Sequence, residues 1–144
     1  MADTLTLFAS ANRTTAVANS AGTTIVVDRA SRVLVLLDLT ATGGAAGDTL
    51  DVYVDVSLDG TKWLNAIHFT QLAGDAAAMS AYAILDPTTP GVVPIVTTSD
   101  AASGAVRPSA FGRYMRGRYT LVDAGAHGQD VTFSLKALAQ PRAF

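Results

Sequence analysis

Residues 50–70, LDVYVDVSLDGTKWLNAIHFT, leave the chain little freedom in what it folds into. Val52, Val54, Val56 and Leu58 alternate with Asp51, Tyr53, Asp55 and Ser57. A period of two sets one group against a core and the other toward water, which describes a strand and not a helix. Asp59-Gly60 follows, and this pair closes hairpins because both residues tolerate positive φ. The return strand is expected from Lys62, with Trp63, Asn65, Ile67 and Phe69 facing inward and Lys62, His68 and Thr70 outward. Trp63, the one tryptophan, is expected to anchor the core, since burying a ring of that size contributes several kcal/mol at ~25 cal/mol per Å². Asn65 on that inner face needs a hydrogen-bond partner or a place near the edge.

Composition extends the β reading to the whole chain. All twelve acidic residues are Asp, with no Glu, and Lys is scarce. Glu and Lys are the usual residues of exposed helices, whereas Asp favours turns and caps. At 144 residues and 49% hydrophobic, the chain is expected to be one domain with a real core. The net charge of −2 argues against binding nucleic acid through phosphates. Without Cys there is no disulfide framework and no thiolate chemistry. The N-terminus has no basic segment followed by an apolar run, so no secretory signal is read there. The longest aliphatic run, residues 33–37, is far short of the ~20 residues a membrane helix needs. The expectation is a protein made in the cytosol, with no membrane partner.

Residues 1–22 read as an N-terminal arm rich in Ala, Thr, Ser and Asn, either loose or ordered on a neighbouring subunit, with a short strand possible over 3–8. A single β-sandwich domain is expected over 23–140. Strands are expected at 23–28 and 32–40. In the second, Val33, Val35, Leu37 and Leu39 face one way and Leu34 and Leu36 the other. A partner sheet covers only one face of such a strand, so Leu34 and Leu36 point to a subunit contact or a covering loop. Residues 71–112 read as a long insertion, poor in charge, that packs on the sandwich or on a partner. Short strands are expected in it at 79–85 and 92–97, the latter demoted to an edge by Pro94. Strands at 113–122 and 131–137 complete the domain. In the first of these Met115, Tyr119 and Leu121 oppose Tyr114, Arg116, Arg118 and Thr120. Residues 141–144 form a tail ending on Phe144. About eight or nine strands with no helix make an all-β fold, an antiparallel β-sandwich or jelly roll.

No catalytic, cofactor or metal constellation emerges. Asp51 and Asp55 are four residues apart on a strand, so ~13 Å separates their Cα atoms, too far to share a metal or act as a carboxylate pair. They are expected on a solvated outer face, pairing across strands with Arg116 and Arg118 for ~0–1 kcal/mol per pair. Arg113, Arg116 and Arg118 with nearby tyrosines could form a nucleic-acid stripe. The acidic balance favours a salt-bridged sheet face instead. His68 and His127, the only histidines, have no Cys or Glu to complete a metal site. There is no G-x-S-x-G and no phosphate-binding glycine loop. Residues 57–63, SLDGTKW, resemble the Asp-box of sialidase-like propellers, one residue short and unrepeated, and read as turn chemistry.

The order of these segments carries a resemblance. LDLTAT (37–42), a Gly-rich loop, LDVYVDVSLDGTKW (50–63), HFTQ (68–71), GRYMRGRYTL (112–121) and VTFSLKA (131–137) follow one another. Together they are similar to small β-sandwich virion proteins of tailed phages and prophages, over most of residues 33–137. The long 71–112 segment and the N-terminal arm depart from the compact pattern. The resemblance implies a virion structural component, specifically a decoration or cement protein on the capsid surface. The implied partners are the major capsid protein and other copies of the chain, as a trimer. Leu5, Phe8, Leu34, Leu36, Tyr82 and Phe144 are the candidate contact residues. A neck or tail accessory protein, or a carbohydrate-binding attachment module using Tyr53 with Tyr114 or Tyr119, are the alternatives. An enzyme is not expected.

Overall fold

The computed structural model describes residues 3–89, 99–125 and 130–142. These form strands β1 (Asp3–Arg13), β2 (Val17–Ala21), β3 (Ile25–Val26), β4 (Ala30–Thr42), β5 (Thr49–Ser57), β6 (Leu64–His68), β7 (Leu72–Ala73), β8 (Met79–Leu85), β9 (Ala105–Val106), β10 (Tyr114–Val122) and β11 (Val131–Pro141). No helix occurs among the described residues, so none there is long and apolar enough to cross a membrane.

The strands make two antiparallel sheets. One runs β1-β11-β4-β8 and the other β2-β10-β5-β6-β9, with β3 also on β10 and β7 also on β5. With β2 and β3 counted as one interrupted strand and the two-residue β7 and β9 set aside, eight strands remain. They pair first with last, second with seventh, third with sixth and fourth with fifth. Alternate pairs of this folded ribbon land on opposite sheets, which is the connectivity of a jelly roll.

The core lies between the sheets and follows from alternation. On β4, Val33, Val35, Leu37 and Leu39 are buried. Val131, Phe133, Leu135 and Ala137 join them from β11. Leu50, Val52, Val54 and Val56 of β5, with Met115 and Leu121 of β10, close the core from the other sheet. One corner is aromatic. Phe8, Tyr119 and Phe133 meet edge to face at 5.3–5.9 Å, and the Arg13 guanidinium lies 3.8 Å from the Phe133 ring centre. Gly117 makes room for this cluster, because a Cβ there would stand 2.7 Å from the Phe8 ring.

Four expectations need correction. The N-terminal arm is not an arm from Asp3 onward, because β1 pairs with β11 from Asp3 to Arg13 and β2 pairs with β10. Leu7 enters the core, and register shifts between Thr6 and Phe8 and between Phe8 and Ala11 fit the polar stretch to its partner. Small polar side chains resembled a loop only because this is an edge strand, whose ladder comes from backbone groups.

The 71–112 segment is likewise no insertion. Its β8 completes the four-stranded sheet and β9 extends the other, with Leu85 fully buried. The possible strand at 92–97 and its Pro94 lie outside the described residues, as do His127 and Phe144.

Trp63 does not anchor the core. The hairpin connection spans 58–63 and not two residues, and a bulge opposite Val54 and Asp55 inserts Ala66. Asn65 therefore pairs with Asp55 on the outer face, while Ile67 pairs with Val54 on the inner one. Trp63 is half-buried on the Asn65 side, its ring 4.2 Å from the Arg116 guanidinium.

The fourth correction concerns β5, which is buried on both faces from Leu50 to Ser57. Asp51 and Asp55 are thus not solvated, since segment 99–107 covers their face.

Candidate functional site: a bare sheet face and a clasped one

The outer face of the four-stranded sheet is built by the same alternation that makes the core. Between the buried valines and leucines of β4, Arg32, Leu34, Leu36 and Asp38 point outward. Cross-strand register sets Leu34 between Ile84 and Leu138, and Leu36 between Tyr82 and Lys136. Leu34, Leu36, Tyr82, Ile84 and Leu138 are all exposed, Tyr82 at 72%. Aliphatic and aromatic side chains on adjacent rows form one patch, of the kind that marks an interaction surface. The patch has charged ends. Arg32 bonds the Gln140 side-chain oxygen, and Asp38 accepts a 2.9 Å hydrogen bond from Ser80.

This face gathers three of the six candidate contact residues, Leu34, Leu36 and Tyr82. Leu5 and Phe8 lie elsewhere, half-buried against the core from β1. Ile84 and Leu138 escaped the sequence reading. The alternation in SAYAIL signals the first. The second sits just beyond the point where the last strand was expected to stop, in a strand that in fact runs to Pro141.

The outer face of the seven-stranded sheet is polar and covered. Asp55, 2% exposed, accepts from Arg118 Nε (3.0 Å) and Nη2 (3.1 Å) and from Arg116 Nε (3.3 Å). The expected cross-strand pairing with the two arginines therefore holds for Asp55. Asp51 binds His68 instead, Oδ1 to Nε2 at 2.7 Å, with Gln71 donating to its other oxygen. Arg118 also donates to Asp100 (2.6 Å) and Asn19 (2.7 Å), and its guanidinium lies 4.0 Å from the Tyr53 ring centre. Burial acts to lower the Arg118 pKa, but hydrogen bonds to Asp55 and Asp100 outweigh it and hold the group above the usual arginine value. Burial, then the charges of Asp51 and Asp100, raise Tyr53.

Segment 99–107 is tied to this network by backbone as well as side chains. Ala101 donates its N–H to Asn65 Oδ1 (2.9 Å) and offers its carbonyl to His68 Nδ1 (2.8 Å). Arg107 Nη1 donates to the Asn65 carbonyl (2.8 Å). The aspartates and His68 thus serve as a clasp. Asp55 and Asp100 are held by arginine and Asp51 by His68 and Gln71, and no cluster of His and Asp suited to a metal occurs among the described residues. Beside the clasp lies a cleft of about 340 Å³ lined by residues that include Trp63, Asp100 and Arg116.

No family model matches the chain, and no curated protein matches it. Among solved structures, a chain of "Structure of infectious bursal disease virus Gx strain" matches all of this chain, with a TM-score of 0.50 and 11% sequence identity. This chain spans a third of that one, 33% of its length. At such an identity the likeness is one of fold: a β-sandwich shared with a chain from a virus structure.

Proposed function

We propose that this chain is a virion structural protein of a tailed phage, one that decorates the outer capsid shell and cements it. The observation that carries the reading is the bare sheet face bearing Leu34, Leu36 and Tyr82. A chain that leaves such a patch in water is built to be covered in an assembly. The jelly-roll connectivity, and a segment order that resembles that of small phage virion proteins, support the same conclusion. In this reading the partners are the major capsid protein and other copies of the chain, and the location is the capsid surface. The mechanism is passive. A ligand that binds only the assembled shell stabilises it by mass action, by about 2.7 kcal/mol per site at a hundredfold excess over Kd.

The test is co-sedimentation of the purified protein with undecorated shells. Saturable pelleting at a fixed ratio, with a raised temperature of shell disruption, is the expected result. Absence of pelleting at saturating protein would overturn the reading, and pelleting with necks or tails instead would move the protein to those positions.

A second reading, a glycan-binding attachment module, is favoured by Trp63 on the polar cleft. Retention on a glycan array, lost in Trp63→Ala, would support it.

A further inference from the structure

We infer that the patch on the four-stranded sheet is covered by a second copy of this chain, related by a two-fold axis that crosses β4 between Leu34 and Leu36. The inference rests on the proposed reading of that face as an assembly surface, and it names the occupant.

The argument comes from where the charges sit. Along β4 the outward residues are Arg32, Leu34, Leu36 and Asp38, so the apolar centre is bounded by a cation at one end and an anion at the other. Among the described residues neither makes an ion pair. Arg32 is bonded to the neutral Gln140 and Asp38 to the neutral Ser80, although Asp86 feels the charge of Arg32. A two-fold contact is self-complementary only when each feature meets its opposite. An axis in the plane of the face, perpendicular to β4 and midway between Leu34 and Leu36, runs the two β4 strands antiparallel. Arg32 then faces Asp38 of the other copy, twice. Leu34 meets Leu36, Ile84 meets Tyr82, and the exposed Lys136, the remaining charge of the patch, meets Leu138. The alternative axis along β4 would set Arg32 on Arg32 and Asp38 on Asp38, and like charges disfavour it.

The dimensions allow the contact. Arg32 and Asp38 are six residues apart, about 20 Å, so each lies about 10 Å from the axis. Packed sheets cross at roughly 30°, which displaces facing ends by about 5 Å, within the span of an arginine side chain. Four strands are about 14 Å across, so the patch is at the small end of specific interfaces. Pairing is therefore expected to be weak in free solution and strengthened where a shell concentrates the copies. A closed pair does not extend into the trimer expected from the sequence.

The test is light scattering over a concentration series into the millimolar range, with circular dichroism to verify folding. The native protein should rise from 14.8 kDa toward twice that mass. Arg32→Asp and Asp38→Arg, both at exposed or half-exposed positions, should each stay monomeric at concentrations where the native chain pairs. An equimolar mixture of the two variants should pair again, because each then faces its opposite. A native mass that stays at one chain, or that rises to three, would overturn the inference, as would single variants that pair like the native protein. Co-sedimentation with shells separates the two ideas. Pairing without shell binding sinks the decoration reading alone. Shell binding by a strictly monomeric native protein sinks the two-fold contact alone.

Discussion

Arg118 and Asp55 form a two-pronged ion pair between neighbouring strands, with Nε–Oδ2 at 3.0 Å and Nη2–Oδ1 at 3.1 Å, and Asp55 is almost wholly out of water. Asp100 and Asn19 take the remaining Arg118 donors, so one guanidinium joins β10, β5, β2 and the covering segment. Removing one member of such a pair leaves a buried charge without its partner. Asp55→Ala is expected to cost about 3–5 kcal/mol in denaturant unfolding. A paired Asp55→Ala, Arg118→Met variant should cost less than the sum of the two single changes, and an additive result would refute the coupling.

Trp63 and Phe133 offer a contrast between an aromatic on a rim and one in a core. Phe133 is fully buried, and Phe133→Ala is expected to cost about 3–5 kcal/mol. Trp63 is half-buried and lies against Arg116, so Trp63→Ala should cost no more than about 1–2 kcal/mol. Equal losses in the two unfolding curves would contradict the placement of Trp63.

Gly117 lies under the aromatic corner, where an added Cβ would approach Phe8 to 2.7 Å and Leu135 to 2.9 Å. Its φ is not in the left-handed region, so the strain in Gly117→Ala is one of space. Overpacking of this kind costs about 1–3 kcal/mol. A melting temperature unchanged in Gly117→Ala would show that the corner yields freely.

Asp59 tests the turn. Its carboxylate accepts the backbone N–H groups of Lys62 and Thr61 at 2.8 Å each, and these bonds hold its pKa below the usual carboxylate range. A depressed acid contributes stability that is complete above the unfolded value, near 4, and is lost as pH falls from there through the folded one. Stability measured from pH 6 to pH 2 should therefore fall less steeply in Asp59→Asn than in the native protein. Parallel curves would remove Asp59 as a source of acid sensitivity.

Much of the fold was legible in local chemistry. Alternation on β4, β5, β10 and β11 announced four strands and their inner faces, because a period of two has a single structural meaning. The same pattern exposed Leu34 and Leu36, and the Asp59-Gly60 turn, with Gly60 at φ +79°, joined the central hairpin. The polar segment 9–21 gave no such signal, and in the charge-poor 71–112 only β8 was expected where it lies, at 79–85. Their strands are held by ladder bonds to β11, β10, β4 and β6, and backbone hydrogen bonds carry no imprint of side-chain type.

What the sequence determined by itself is the set of residues that each long strand turns toward each side. Only the tertiary structure decided which of those sides meets water. The side bearing Asp55 was expected in water and is buried, whereas the side bearing Leu36 stands open, awaiting a contact as its alternation implied. Segment 99–107 folds over the charged side and clasps it, because Asn65 and His68 supply partners for the Ala101 backbone and Arg118 holds the Asp100 side chain. No described segment covers Leu34, Leu36 and Tyr82, so the apolar side is the one left open to another chain.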